Sequence, residues 1–174
     1  MWTSLESPVG PLRIVANDDA LTAIEFSGPA PEGAPEHSSA TRAALVSAGR
    51  PVGARDDAAP LLREAVRQLT AYFEHDLKEF DLPIAPTGTS FQQSVWKQLQ
   101  GIGYGETASY GEVALRLGMK PAASRAVGLA NGRNPIPIVI PCHRVVGANG
   151  QLTGYAGGIE RKQTLLELEQ DALF

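Results

Sequence analysis

The chain holds one cysteine, Cys142, among its 174 residues, which excludes an internal disulfide. Its three histidines are scattered without metal-ligand spacing, so no metal and no cofactor are expected. No apolar run approaches the ~20 residues needed to cross a bilayer, so no membrane association is expected. The opening Met1-Trp2-Thr3-Ser4-Leu5-Glu6 lacks the basic and apolar regions of a signal peptide, which makes a cytoplasmic location the expectation. Positive charge is also scarce overall, with a formal net charge of -4. The deficit is uneven. Residues 1–87 carry 7 Lys+Arg against 13 Asp+Glu, a balance of -6, and residues 88–174 carry 8 against 6, a balance of +2. A positive half joined to an acidic one is compatible with contact to nucleic acid, which responds to the local field.

The apolar pattern predicts three antiparallel strands, at Trp2–Glu6, Leu12–Ala16 and Leu21–Phe26, separated by turn-forming residues 7–11 and 17–19. Residues 27 to about 57 are rich in Gly, Pro and Ala and read as loop, with a short helix near Thr41–Ser47. A helix follows, with Leu61, Leu62, Ala65, Val66, Leu69, Tyr72 and Phe73 on one face, Asp57 as N-cap and Pro60 in its first turn. Residues 82–88 read as a connection between a domain over 1–83 and a second over 90–174, with 84–89 as linker.

The second half reads as mainly helical. Ser90-Phe91-Gln92-Gln93 has the form of a capping box, with Phe91, Val95, Trp96 and Leu99 as the buried stripe. Ser109-Tyr110-Gly111-Glu112 is a second box, opening a short helix that stops at Gly118. Pro121 suits the first turn of a third helix, which Gly132 ends. Two short helices across a Gly-containing turn form a helix-turn-helix candidate. The second helix is built from small residues, among them Ala122, Ala123, Ser124, Ala126, Gly128 and Ala130, with Arg125 the long charged side chain. A DNA-binding face and a tightly packed internal helix both fit that pattern.

Three prolines within the apolar run Asn134–Val146 forbid a helix and a regular central strand. An extended, buried backbone is expected there, with Asn134 able to pin a turn. The run delivers Cys142 beside His143. An ordinary thiol needs a base or a positive field to become a nucleophile at neutral pH. Neighbours on an extended chain face opposite ways, so a Cys–His partnership requires a turn or a bridging water. In the last helix Leu165, Leu166 and Glu169 share the apolar face while Glu167 does not, and a buried carboxylate needs a partner. Cys142, His143 and Glu169 together make a thiolate-generating relay; a small buried hydrophobe is the alternative role for a lone cysteine.

The run Pro141-Cys142-His143-Arg144-Val145-Val146 resembles the active-site motif of the O6-alkylguanine-DNA alkyltransferases, the methylated-DNA–protein-cysteine methyltransferases. The resemblance extends to Gly154-Tyr155-Ala156-Gly157-Gly158, Leu165–Glu169, Arg125-Ala126-Val127-Gly128, Asn134–Ile138 and Tyr110, covering nearly all of residues 90–169. It implies an α+β fold: a small antiparallel, ribonuclease-H-like domain, then a helix-turn-helix (winged-helix-like) domain. It implies a monomer that enters the minor groove of double-stranded DNA bearing O6-alkylguanine. There Ala123, Ser124, Ala126 and Gly128 allow close approach, and Arg125 fills the gap left by the flipped nucleotide. Tyr110 would rotate the flipped nucleotide and protonate guanine N3. Asn131, Val145, Tyr155, Ala156 and Gly157 would line the pocket; the carbonyls of Cys142 and Val145 and the N–H of Ala156 would meet the base. The alkyl group would pass irreversibly and stoichiometrically to Cys142. Relatives that bind zinc do so through cysteine and histidine, and with one cysteine that site is not expected here. A non-catalytic lesion sensor and a thiol hydrolase or redox sensor are the competing classes.

Overall fold

The computed structural model describes residues 1–27, 53–153, 155 and 157–171. The short helix expected near 41–47, and Ala156, lie outside them. Strands β1 (Trp2–Leu5), β2 (Leu12–Ala16) and β3 (Leu21–Phe26) form an antiparallel sheet in sequence order. Leu12 and Ile14 of β2 alternate into the core, and Leu21 and Ile24 of β3 join them across a shift in register. A bulge between Val15 and Ala16 ends the regular register beside the Asn17 turn. Asn17 makes that turn by accepting from the backbone N–H groups of Asp19 and Ala20.

Helix α1 (Pro60–Phe73) covers the sheet with Leu62, Ala65, Leu69 and Tyr72. Its start differs from the sequence expectation: the N-cap is Ala59, and no side chain caps it. Asp57 instead accepts from the Thr3 hydroxyl and from Arg55. Residues 83–85, expected as free connection, run along β3, with Leu21 N–H donating to Pro83 O and Ala85 N–H to Leu21 O.

Helix α2 (Ser90–Leu99) opens on a capping box one residue earlier than expected, between Thr89 and Gln92. The box at Ser109 and Glu112 forms as the sequence indicates and starts α3 (Tyr110–Arg116). Gly118 then takes φ +73, a left-handed conformation that suits glycine at a helix end. Pro121–Ala123 is a 3-10 turn leading into α4 (Ser124–Gly132), completing the helix-turn-helix. Strand β4 (Ala108–Ser109) pairs in parallel with β5 (Val145–Val146), and α5 (Ile159–Asp171) closes the fold. The buried core is continuous from Leu12 and Ile14 of the sheet through Tyr72 to Trp96, Val113, Val127 and Ile140. No helix among the described residues is long and apolar enough to cross a membrane.

Candidate active site

The run between α4 and the cysteine is folded by Asn134. Its Nδ2 donates to Ile140 O at 2.8 Å, and its Oδ1 accepts from Ile136 N–H at 2.9 Å. Ile140 N–H donates back to Ile136 O, so the chain loops on itself with Ile138 held at φ 75. The expected extended backbone is therefore replaced by a turn, because a short amide side chain offers the buried backbone the partners that the prolines deny it. Cys142–Arg144 then form a 3-10 turn. The sheet reaches this run directly: Ile24 N–H donates to Pro135 O at 2.9 Å.

Cys142 and His143 are successive residues of that 3-10 turn. Cys142 is 2% exposed and His143 and Glu169 are fully buried. His143 Nε2 lies 2.7 Å from Glu169 Oε1. Burial pushes the imidazole below its usual value, outweighing the pull of Glu169, so the ring is neutral at neutral pH. An ionised carboxylate can only accept, so Nε2 carries the proton and Nδ1 keeps its lone pair. Among the described residues the buried Nδ1 has no hydrogen-bond partner, which leaves it as the basic atom of the ring. Desolvation pushes the Cys142 thiol up to about 11, against the opposing influence of Asn134 and the Lys162 charge. The resting nucleophile is therefore a thiol beside a neutral base.

Three residues without a role in the sequence reading converge on these groups. Arg144 Nη2 donates to Glu169 Oε1 at 2.9 Å and Nε to Oε2 at 3.0 Å, while Nη1 donates to Ile102 O at 2.6 Å. Burial raises the Glu169 carboxyl, but the hydrogen bond and charge of His143, then those of Arg144, outweigh it and hold the group at about 2. With His143 neutral, Arg144 is the lasting counter-charge. Tyr72 of α1 donates its hydroxyl to the same Oε1 at 2.8 Å, across 97 positions of sequence. Lys162 is fully buried, and its Nζ donates to the carbonyls of Val145 and Thr153 (2.9 Å for the latter). Burial lowers Lys162 to about 8. Lys162, Leu165 and Glu169 fall at i, i+3 and i+7, the spacing that already marked Glu169, so Lys162 was accessible to the same argument.

Around the thiol, Asn131 Nδ2 donates to Cys142 O at 3.3 Å, and Val145 O is engaged by Lys162. Tyr110 donates its hydroxyl to Thr153 O at 2.8 Å. Gly128 lies against the Tyr110 ring, where a Cβ would come within 3.6 Å. Tyr155 is buried edge-on to Phe26, and a Cβ on Gly157 would meet the Phe26 ring at 2.8 Å, so both residues rest on β3. Arg125 and Ala126 are exposed on α4, whereas Ala123, Ser124 and Gly128 are half-buried. Leu129, one turn beyond Arg125, is 63% exposed. No cluster of potential metal ligands occurs among the described residues.

Two family models match the chain. The 6-O-methylguanine DNA methyltransferase ribonuclease-like domain matches residues 1–86, and the corresponding DNA binding domain matches residues 90–171. A Methanosarcina acetivorans methylated-DNA–protein-cysteine methyltransferase is 47% identical over 171 residues, covering 97% of both chains. A Mycobacterium tuberculosis protein of the same name is 46% identical over 169 residues, with 97% of this chain and 92% of the other covered. The crystal structure of the Mycobacterium tuberculosis O6-methylguanine methyltransferase superposes with a TM-score of 0.79 at 45% identity, over 98% of this chain and 93% of that one. A Mycobacterium tuberculosis OGT in complex with DNA gives a TM-score of 0.80 at 44% identity, with the same coverage. The chain belongs to the 6-O-methylguanine DNA methyltransferase family.

Proposed function

We propose that this protein repairs DNA by direct reversal, taking the alkyl group of O6-alkylguanine onto Cys142 in one irreversible event. The observation that carries the reading is the buried thiol next in sequence to a neutral His143, whose Nε2–H is committed to Glu169 and whose Nδ1 has no partner among the described residues. That arrangement supplies a base for the thiol proton. The family matches support DNA as the partner.

The transfer is an in-line displacement. The sulfur–carbon bond forms as the carbon–O6 bond breaks, and the thiol proton passes to His143 Nδ1 through a water. Guanine takes up a proton at N3 as it leaves, so the net reaction moves the thiol hydrogen to the base. Tyr110 is the N3 donor, exchanging its present acceptor, Thr153 O, for the base, and it recovers a proton from solvent as His143 releases the one it took. A buried thiol cannot reach a stacked base, so the nucleotide flips out and the exposed Arg125 occupies the gap. Ala123, Ser124, Ala126 and Gly128 let α4 approach the minor groove. Asn131, Val145, Tyr155, Ala156 and Gly157 surround the base, and Asn134 holds the turn. Residues 1–83 form the first domain, 84–89 the connection and 90–174 the catalytic domain of a monomer that needs no cofactor. The thioether product has no hydrolysable bond, so each molecule acts once.

Duplex DNA with a single O6-methylguanine, followed by digestion and peptide mass spectrometry, tests this. The expected result is one methyl on the Cys142 peptide with stoichiometric repair. Cys142→Ser should bind the lesion and form no adduct. Tight binding without an adduct in the native chain would instead make the protein a lesion sensor.

A further inference from the structure

We propose that Tyr72, in the ribonuclease-like half of the chain, is a positioning residue of the Cys142–His143–Glu169 relay. It acts through the Glu169 carboxylate, so the N-terminal half completes the machinery for alkyl transfer; this rests on the function proposed above.

Tyr72 is fully buried, and its ring is packed against Phe73, Phe80 and Tyr104 at centroid distances of 5.3, 5.4 and 6.0 Å. Phenylalanine would fill that volume at lower desolvation cost, so the hydroxyl is explained by its acceptor rather than by packing. That acceptor is Oε1 of Glu169, the same oxygen that His143 Nε2 contacts. Burial, then the charge of Glu169, raises the phenol far above its ordinary value, so the hydroxyl stays a donor at every working pH.

The geometry assigns the hydroxyl a specific task. Arg144 grips both carboxylate oxygens from one side and fixes the plane of the group without selecting which lone pair faces the imidazole. Gly105 N–H holds Oε2 at 3.3 Å. Tyr72 supplies the remaining constraint on Oε1 and directs it at Nε2. That direction keeps the proton on Nε2 and the lone pair on Nδ1. Without the hydroxyl the carboxylate is free to tilt, orients the base less well and leaves the thiol to ionise unaided, which moves thiol reactivity in the alkaline direction.

The experiment uses the full chain with Tyr72→Phe, Glu169→Gln and the double variant. Single-turnover transfer from O6-benzylguanine as the free base is measured first. Tyr72→Phe should slow it about tenfold, about 1.4 kcal/mol at the rate constant. In the Glu169→Gln background the same substitution should have almost no further effect, because its route of action is gone. The second measurement is the pH profile of Cys142 alkylation by iodoacetamide, which should shift to higher pH in Tyr72→Phe. Thermal melting confirms that each variant is folded. Equal losses in both backgrounds, or an unmoved or acid-shifted profile in a folded Tyr72→Phe protein, would overturn the assignment. Wild-type protein that leaves O6-methylguanine in duplex DNA unrepaired would defeat the proposed function, while the iodoacetamide profile would still decide whether Tyr72 works through Glu169.

Discussion

Replacing Glu169 by glutamine should cost the protein stability as well as activity, and the structure sets the size. The carboxylate receives Tyr72, His143, Arg144 and Gly105 in a fully buried position. Its hold at about 2, against an ordinary 4.5, corresponds to an upper limit of about 3 kcal/mol at ~1.4 kcal/mol per pKa unit. An independent route gives a similar figure, since removing one partner of a buried pair leaves the Arg144 charge uncompensated at a cost of roughly 3–5 kcal/mol. Glutamine adds an NH2 group where donors already converge. For a chain of this length about 3 kcal/mol lowers Tm by roughly 6–12 °C. The pH dependence carries a sign. A carboxyl group whose folded pKa lies below its unfolded one stabilises fully above about 4.5, and loses that contribution as pH falls toward about 2. Thermal melts of both proteins should therefore differ by a constant gap from neutral pH to about 5, closing in stronger acid. Melting within about 2 °C of wild type at pH 7 would refute the reasoning, as would a gap that widens in acid.

Arg125→Ala should slow repair of alkylated duplex by about tenfold or more, or at least ~1.4 kcal/mol, and leave reaction with free O6-benzylguanine nearly unchanged. Equal losses on the two substrates would remove its role beside the flipped nucleotide. Lys162→Met keeps the length and burial of the side chain but removes a positive charge that favours the thiolate. The alkylation profile of Cys142 by iodoacetamide should move to higher pH, and an unchanged profile would dismiss that electrostatic coupling.

What could be read from the sequence was what local physics determines. Turn residues on either side of β2 set the strand limits, and the i to i+4 relation of Leu165 and Glu169 turned the carboxylate inward. The expected pairing of His143 with Glu169 is present at 2.7 Å. Proline content showed that residues 134–146 were irregular, yet the turn itself depended on Asn134 reaching Ile140 O, and a pattern of residue types could not give its path. The displaced caps have similar causes. Asp57 is engaged by Thr3 and Arg55 instead, and Thr89 competed with Ser90 for the same helix start. Arg144 was in plain view within the motif, but its direction follows from the 3-10 turn. Tyr72 was legible only as one apolar-face residue of α1, because nothing local announces a partner 97 positions away.

The covered edge of β3 bears on how the chain is made. Its partners arrive late: residues 83–85 lie beside Leu21, and Ile24 waits for Pro135. During synthesis the first half of the chain emerges with that strand edge open. At roughly 5–20 residues per second, the stretch between residues 85 and 135 takes about 3–10 s to make. For those seconds Ile24 offers an unpaired backbone donor to any neighbouring nascent chain, the circumstance in which strands aggregate. Slower translation of the segment between the two halves should lower the yield of folded protein, although the finished molecule is unaltered.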